Sequence, residues 1–465
     1  MPPAPEFAAT VRWPWQQAPL QLGATLRGQV AAILFWRLGC VHSRAALADL
    51  ALLQATFAGR PFAAVALHVP VAKPEREAAR FQAAVARHAP ALAHGIDDTG
   101  QAFSVFGAEG YPTLVLVDAA GQVRFSGRGE PKIERLRAAV DALLLEGQAA
   151  GLLAATPFQA TAMTAPPPSA LRSPAALCER DGELWLADAG NRRLLAFDPD
   201  TGVVRLVIGS GKAGIADGPA ATAAFCWPAA LIAVGSQVLV ADADAHLLRT
   251  VDPGGDVVTV CGTGVRGSDR YGGGFGSMQA LAMPNALLRG DAGVVVAMAG
   301  THQLWQFDLE TQSASAWLGT GEQLLRDGGE AATFAQPAGL ASDGHTLWVA
   351  DAGNGALRAV DLAHAWVRTR ATALQRPVAV ALHGGALLVA DAWAGQVLRF
   401  DAADGDGTVV AGKAEGLVEP SALLVRGDRL WIVDAGAGRI VTIDLAAALP
   451  AATLHPFVLQ GLPGA

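Results

Sequence analysis

The chain has 465 residues, 52% hydrophobic and 16% charged, and carries a formal charge of −8. That length exceeds one ordinary domain and supplies apolar material for two buried cores. The mildly acidic balance, with no basic block, argues against a nucleic-acid partner, and no run of about 18 uncharged apolar residues marks a membrane span.

The opening residues, Met1-Pro2-Pro3-Ala4-Pro5-Glu6, have no basic segment followed by an apolar one, so no signal peptide is expected. An apolar run, Val30 to Trp36, reads as a strand and leads into Arg37-Leu38-Gly39-Cys40-Val41-His42-Ser43. From Arg44 to about Thr56, Leu47, Leu50 and Leu53 recur at helical spacing. A second strand over 62–69 precedes a charged helical pattern from Glu75 to Arg87 and a short helix around 101–106. Tyr111-Pro112-Thr113 opens a strand to Val117, which turns through Asp118–Gly121 into a hairpin partner at 122–126. A last helix spans about 132–145. Strands alternating with helices, then a hairpin, predict an α/β domain over residues 1–147.

Two features of this region carry chemistry. Cys40 follows the first long strand and opens a helix, where free N–H groups and the helix dipole stabilise a thiolate. Tyr111-Pro112-Thr113 stands just before a late strand. On these residues the domain resembles the thioredoxin superfamily. The resemblance implies Cys40 as the nucleophile and a cis-proline loop at Tyr111, Pro112 and Thr113 as the substrate-docking edge, with His42 beside the sulfur. It departs from Cys-x-x-Cys, because Ser43 stands where the resolving cysteine would be. Ser43 offers at most a hydrogen bond to the Cys40 thiolate, so a dithiol cycle within the motif is excluded. A monothiol cycle, with glutathione or another thiol as co-substrate, and a degenerate non-redox fold both stay open. The peroxidase pattern Pro-x-x-x-Thr-x-x-Cys fails, since Ile33 and Arg37 occupy its first two fixed positions.

Residues 148–173, with Thr164-Ala165-Pro166-Pro167-Pro168, read as a stiff Pro-rich linker that also offers a strand to close the following ring. From residue 174 a repeat takes over. Pro174, Pro228, Pro284, Pro337, Pro377 and Pro420 are each followed, 14 residues on, by Asp188, Asp242, Met298, Asp351, Asp391 and Asp434. A second aspartate stands ten further on, at 198, 252, 308, 361, 401 and 444. Short strands separated by Asp/Gly/Asn turns predict a four-stranded antiparallel unit per repeat, and such sheets bury both faces only when stacked in a ring. The recurring aspartate is expected to accept N–H bonds within its own turn, and Met298 to leave a looser turn. Extra loops follow the first three units, at 209–227, 262–283 and 319–336; their Gly-x-Gly starts read as turns. Leu347-Trp-Val-Ala-Asp-Ala-Gly-Asn354 and Leu184-Trp-Leu-Ala-Asp-Ala-Gly-Asn191 resemble the NHL-repeat signature.

The expected architecture is therefore an α/β thioredoxin-like domain followed by an all-β six-bladed NHL-type β-propeller over 174–465. The combination resembles the NHL-repeat-containing protein two family. Cys178, Cys226 and Cys261 fall in or beside blade strands and read as core residues; no Cys/His cluster has zinc spacing. So few cysteines suit a cytoplasmic protein. Two functions follow: a monothiol redox protein whose propeller recruits its partner, or a non-catalytic scaffold that binds a protein or small ligand at the propeller face or an inter-domain groove.

Overall fold

The computed structural model describes residues 3–130, 132–163, 169–291, 293–401, 406–446 and 453–462. The chain divides into two compact units, residues 1–167 and 168–465.

In the first unit, β1 (Val30–Trp36) and β2 (Phe62–His68) are buried at every residue, as strands covered on both faces must be. They pair in parallel, which requires a crossover, and α1 (Val41–Thr56) supplies it with Leu47, Leu50 and Leu53 on its buried side. β3 (Ala93–Ile96) continues the parallel set, while β4 (Thr113–Val117) and β5 (Val123–Arg128) form an antiparallel hairpin at the other edge. The sheet order is β3-β2-β1-β4-β5. Helices α2 (Ala78–His88), α3 (Gln101–Val105) and α4 (Ile133–Ala149) complete the unit.

Three details differ from the sequence expectation. β3 carries a histidine and a glycine in four residues, so no propensity marks it; a Cβ at Gly95 would stand 2.6 Å from Leu67 Cδ2, which explains the glycine. The helix expected from Glu75 is broken into a 3₁₀ turn, Lys73–Arg76, and α2, with Glu77 extended between them. The chain after α4 is tied back to the first unit: Ala154 N donates to Gly28 O, Gln29 Nε2 to Thr156 O and Met163 N to Pro90 O. Residues 150–163 are thus part of that unit rather than free spacer, and the triple proline at 166–168 lies outside the described residues.

The second unit consists of six antiparallel sheets, one per repeat. Each innermost strand begins at or just after the repeat proline, the edge position that tolerates a missing N–H. The second strand ends at the Asp188, Asp242, Met298, Asp351, Asp391 or Asp434 position. Where the inner strands converge, the small residues Ala176, Ala230, Ala286, Gly339, Ala379 and Ala422 occupy equivalent places around an axial cavity of about 190 Å³. A Cβ on Gly339 would lie 2.6 Å from Val378 O. Leu184, Leu186, Trp431 and Val433 are among the residues that pack the first blade on the sixth.

Ring closure differs from expectation. The outer strand of blade six is His455–Phe457, not a segment of 148–173, and the chain beyond it pairs with blade one through Val204 N to Gln460 O and Gln460 N to Gly202 O. Blade three carries a fifth strand, Gly272–Phe275, supplied by the loop 262–283.

Candidate functional site

Register places the cysteine against the proline loop. β1 pairs antiparallel with β4, with Phe35 opposite Thr113, so the chain leaving β1 passes the chain entering β4. Cys40 is the N-cap residue of α1, and its Sγ lies 4.0 Å from the Tyr111 carbonyl oxygen. The Tyr111–Pro112 peptide is cis. Cys40 retains 9% exposure. Tyr111 stacks on Phe103 with ring centroids 4.8 Å apart, and burial pushes its phenol up from its ordinary value. Thr113 Oγ1 donates to Gly110 O and braces the loop from within.

The other two predicted residues are turned elsewhere. Ser43 is fully buried, and its Oγ has no hydrogen-bond partner among the described residues, so the expected bond to Cys40 is not formed. It lies on the core face of α1 with Val41, Ala46 and Leu47. His42 Nδ1 pairs with Glu130 Oε1.

The residue that sequence reasoning missed is Glu75. Its side chain has no exposed surface. It accepts from Arg37 Nε at 2.8 Å and from the backbone N–H of Gly39, Val71 and Ala72, each at 2.8 Å. Burial works to raise its pKa, but the Ala72 N–H, the Arg37 charge and the Gly39 and Val71 N–H groups outweigh it and leave the carboxyl below its ordinary value. Glu75 therefore fixes the turn that delivers Cys40. In sequence it was one charge in a helical pattern, and no local signal showed it turning inward.

In the propeller the recurring aspartate takes side-chain donors within its own turn, as Asp188 takes Asn191 Nδ2 and Asp351 takes Asn354 Nδ2, each at 2.8 Å; its backbone donors lie elsewhere. It reaches back 15 and 16 residues to the N–H groups just ahead of the repeat proline: Asp242 accepts from Cys226 and Trp227, Asp391 from Gln375 and Arg376, Asp434 from Val418 and Glu419. Asp188 takes Arg172 N and Asp351 takes Ala335 N in the same way. Burial raises the carboxyls of Asp242 and Asp351 to about 6. Met298 does not loosen blade three: it is 1% exposed and stays in register with Pro284. Its Sδ receives Ala282 N at 3.3 Å, and His246 Nδ1 receives Met283 N at 3.1 Å. The caps of the outer turns belong to the second aspartate; Asp308, for instance, accepts from Glu310 and Thr311. Arg249 and Arg358, both without exposed surface, anchor two of the extra loops through Asp217 and Asp327.

No family model matches the sequence. Among curated proteins the chain is similar to Protein SUPPRESSOR OF QUENCHING 1, chloroplastic, of Arabidopsis thaliana, 28% identical over 375 residues, covering 77% of this chain and 35% of that protein. It is also similar to NHL repeat-containing protein 2 of Bos taurus, 27% identical over 390 residues, and of Homo sapiens, 25% over 388, each match covering 77% of this chain and 53% of the relative. The chain is thus similar to NHL-repeat proteins over 77% of its length.

The chain matches between a third and about half of the length of those curated relatives. Solved structures with partial likeness include a streptogramin B lyase (TM-score 0.43, 13% identity, 63% of this chain and 85% of that one). Another, covering 31% of this chain and 94% of its own, is a protein named for thiol:disulfide interchange, DsbE of Chlorobium tepidum (TM-score 0.26, 22% identity). No helix among the described residues is long and apolar enough to cross a membrane, and none of their His, Cys, Asp and Glu side chains gather in threes that could hold a metal ion.

Proposed function

We propose that Cys40 is a single-thiol exchange site and that the propeller engages the protein whose disulfide it attacks. The observation that carries this reading is the sulfur at the opening of α1, 4.0 Å from the Tyr111 carbonyl beside cis Pro112. The Cys40 thiolate attacks one sulfur of a partner disulfide, forms a mixed disulfide and releases the other sulfur as a thiolate. A thiol of the glutathione class then attacks the partner sulfur of that mixed disulfide and frees the Cys40 thiolate. The resolving thiol comes from outside the first unit, because residues 1–167 contain no second cysteine. Burial pushes Cys178 up to about 12 and Cys226 and Cys261 to about 11, which keeps those three as unreactive thiols. A chain with four free thiols suits a reducing compartment such as the cytoplasm.

Tyr111, Pro112 and Thr113 act here as the docking edge for the partner strand, while His42 is held by Glu130. A second reading, a non-catalytic scaffold, is favoured by the 9% exposure of Cys40 and by the absence of a Ser43 bond to it. The full chain is incubated with glutathione disulfide and analysed by mass spectrometry, alongside iodoacetamide alkylation across pH. A glutathione adduct that maps to Cys40 and disappears in Cys40→Ser supports exchange. No adduct, with an alkylation midpoint near the free-thiol value of about 8.5, selects the scaffold.

A further inference from the structure

Blade four contains a hollow on one face of its sheet. Its second, third and outer strands place Trp348, Ala359 and Arg368 in one cross-strand row. The next row on the same face holds Thr346, Asp361 and Trp366. A methyl group stands at the centre of these larger side chains, and the space left above it, about 620 Å³, lies in the size range of small-molecule sites. The turns bearing His345 and His364 border it, and every lining residue belongs to blade four.

The repeat provides an internal control. Trp185 and Trp431 occupy the same position as Trp348, three residues before the blade aspartate. Both are 1% exposed and both rings are covered: the Arg180 guanidinium lies 5.6 Å from Trp185, and the Phe457 ring 4.6 Å from Trp431. Trp348 has no ring or cation contact among the described residues, and Trp366 beside it is 48% exposed. The Arg368 guanidinium forms no hydrogen bond or ion pair among the described residues, although it lies across a single alanine from the indole. Asp361 makes no ion pair with it; its oxygens accept from the Ala363 and His364 N–H groups and pair with His364 Nδ1 at 3.0 Å.

We propose that this hollow binds a small planar aromatic anion. The flat ring stacks on Trp348 and Trp366, and the anionic group meets Arg368, with His345 at the rim. A guanidinium with no internal partner beside the half-buried Trp348 and the exposed Trp366 favours such a ligand over a neutral apolar one, since charge-assisted bonds and ring stacking add on one molecule.

The test titrates the full chain with 8-anilinonaphthalene-1-sulfonate by fluorescence, with uncharged N-phenyl-1-naphthylamine as its control. The expected result is a saturable site weakened at least tenfold by Arg368→Ala and lost in Ala359→Leu, which fills the hollow. The neutral probe is expected to bind at least tenfold more weakly. Thermal unfolding confirms that both variants keep the propeller. Competition by AMP or by benzoate then identifies the anion as phosphate or carboxylate. Absence of saturable binding, equal binding by both variants, or competition by neither compound overturns the proposal.

Discussion

Replacing Glu75 by Gln removes one charge from the first unit and leaves its volume nearly unchanged. The carboxylate has no exposed surface and holds Arg37 and three backbone N–H groups. Hydrogen bonds to a charged group contribute about 1.5–3 kcal/mol each, and breaking a buried pair costs about 3–5 kcal/mol. Gln keeps one acceptor oxygen but turns an NH₂ toward donors, so a loss of about 3 kcal/mol is expected in E75Q. With a urea slope of about 2 kcal/mol/M, the midpoint of the first unit falls by about 1.5 M. Because the chain has two units, the transition is read by pulsed hydrogen exchange on peptides from 30–68 rather than by a whole-chain signal. The penalty also has a pH signature. The folded carboxyl lies below its ordinary 4.5, so its stabilisation is present above that value and is lost as pH falls through the folded value. The deficit of E75Q therefore narrows in acid. Iodoacetamide also reaches Cys40 faster in this variant, since the Gly39 N–H loses its anchor. A midpoint shift below about 0.3 M, or a deficit that does not depend on pH, refutes this account of Glu75.

Burial pushes His94 from 6.5 down to about 4, with the Ala89 carbonyl opposing the shift and His68 adding to it. The folded form binds fewer protons, so stability is full above pH 6.5 and declines as pH falls toward 4, by about 3 kcal/mol at 1.36 kcal/mol per pKa unit. Thermal midpoints of the first unit between pH 4 and 8 should flatten in His94→Leu; an unchanged slope counts against the assignment. Asp351→Ala strips a partner at 2.8 Å from the buried Arg358 and an acceptor from Ala335 N, and is expected to cost the propeller about 3 kcal/mol. Urea unfolding that matches the parent would contradict this. Met298→Leu keeps the volume but leaves Ala282 N unpaired, for an expected loss of about 1 kcal/mol with faster exchange of that amide; a protected Ala282 amide would show that the sulfur is not its acceptor.

The sequence made the repeat legible because its fixed points are residues with local consequences. A proline at each strand start and an aspartate 14 residues later recur without insertion. The strands Val30–Trp36 and Phe62–His68 were equally plain, since strands buried on both faces must be apolar throughout. Whatever depends on long-range partners stayed hidden. The blade aspartates announced an acceptor but not whose N–H groups they take, because the donors lie 15 and 16 residues upstream. β3 exists through its pairing with β2 and not through any propensity of Ala93-His94-Gly95-Ile96. At the thiol site Cys40, Pro112 and their approach were readable, whereas the direction of Ser43 depends on which face of α1 meets the core, and residue spacing around Cys40 does not give that.

Blade three shows what the repeat actually conserves within the ring. Five blades use a carboxylate to receive the N–H groups ahead of the proline, and the third divides the task between Met298 Sδ and His246 Nδ1. The neighbouring blade combines both solutions: Asp351 takes Ala335 N while His302 Nδ1 takes Gln336 N. The requirement is therefore an acceptor at that place, because an N–H stranded in the buried junction costs about 1–3 kcal/mol whichever atom fails to meet it. A histidine four residues after the aspartate position serves the next blade, which couples adjacent sheets through hydrogen bonds as well as through side-chain packing. The ring is consequently tied at two kinds of joint, and the blade that departs most from the repeat pattern is still held at both of its donors.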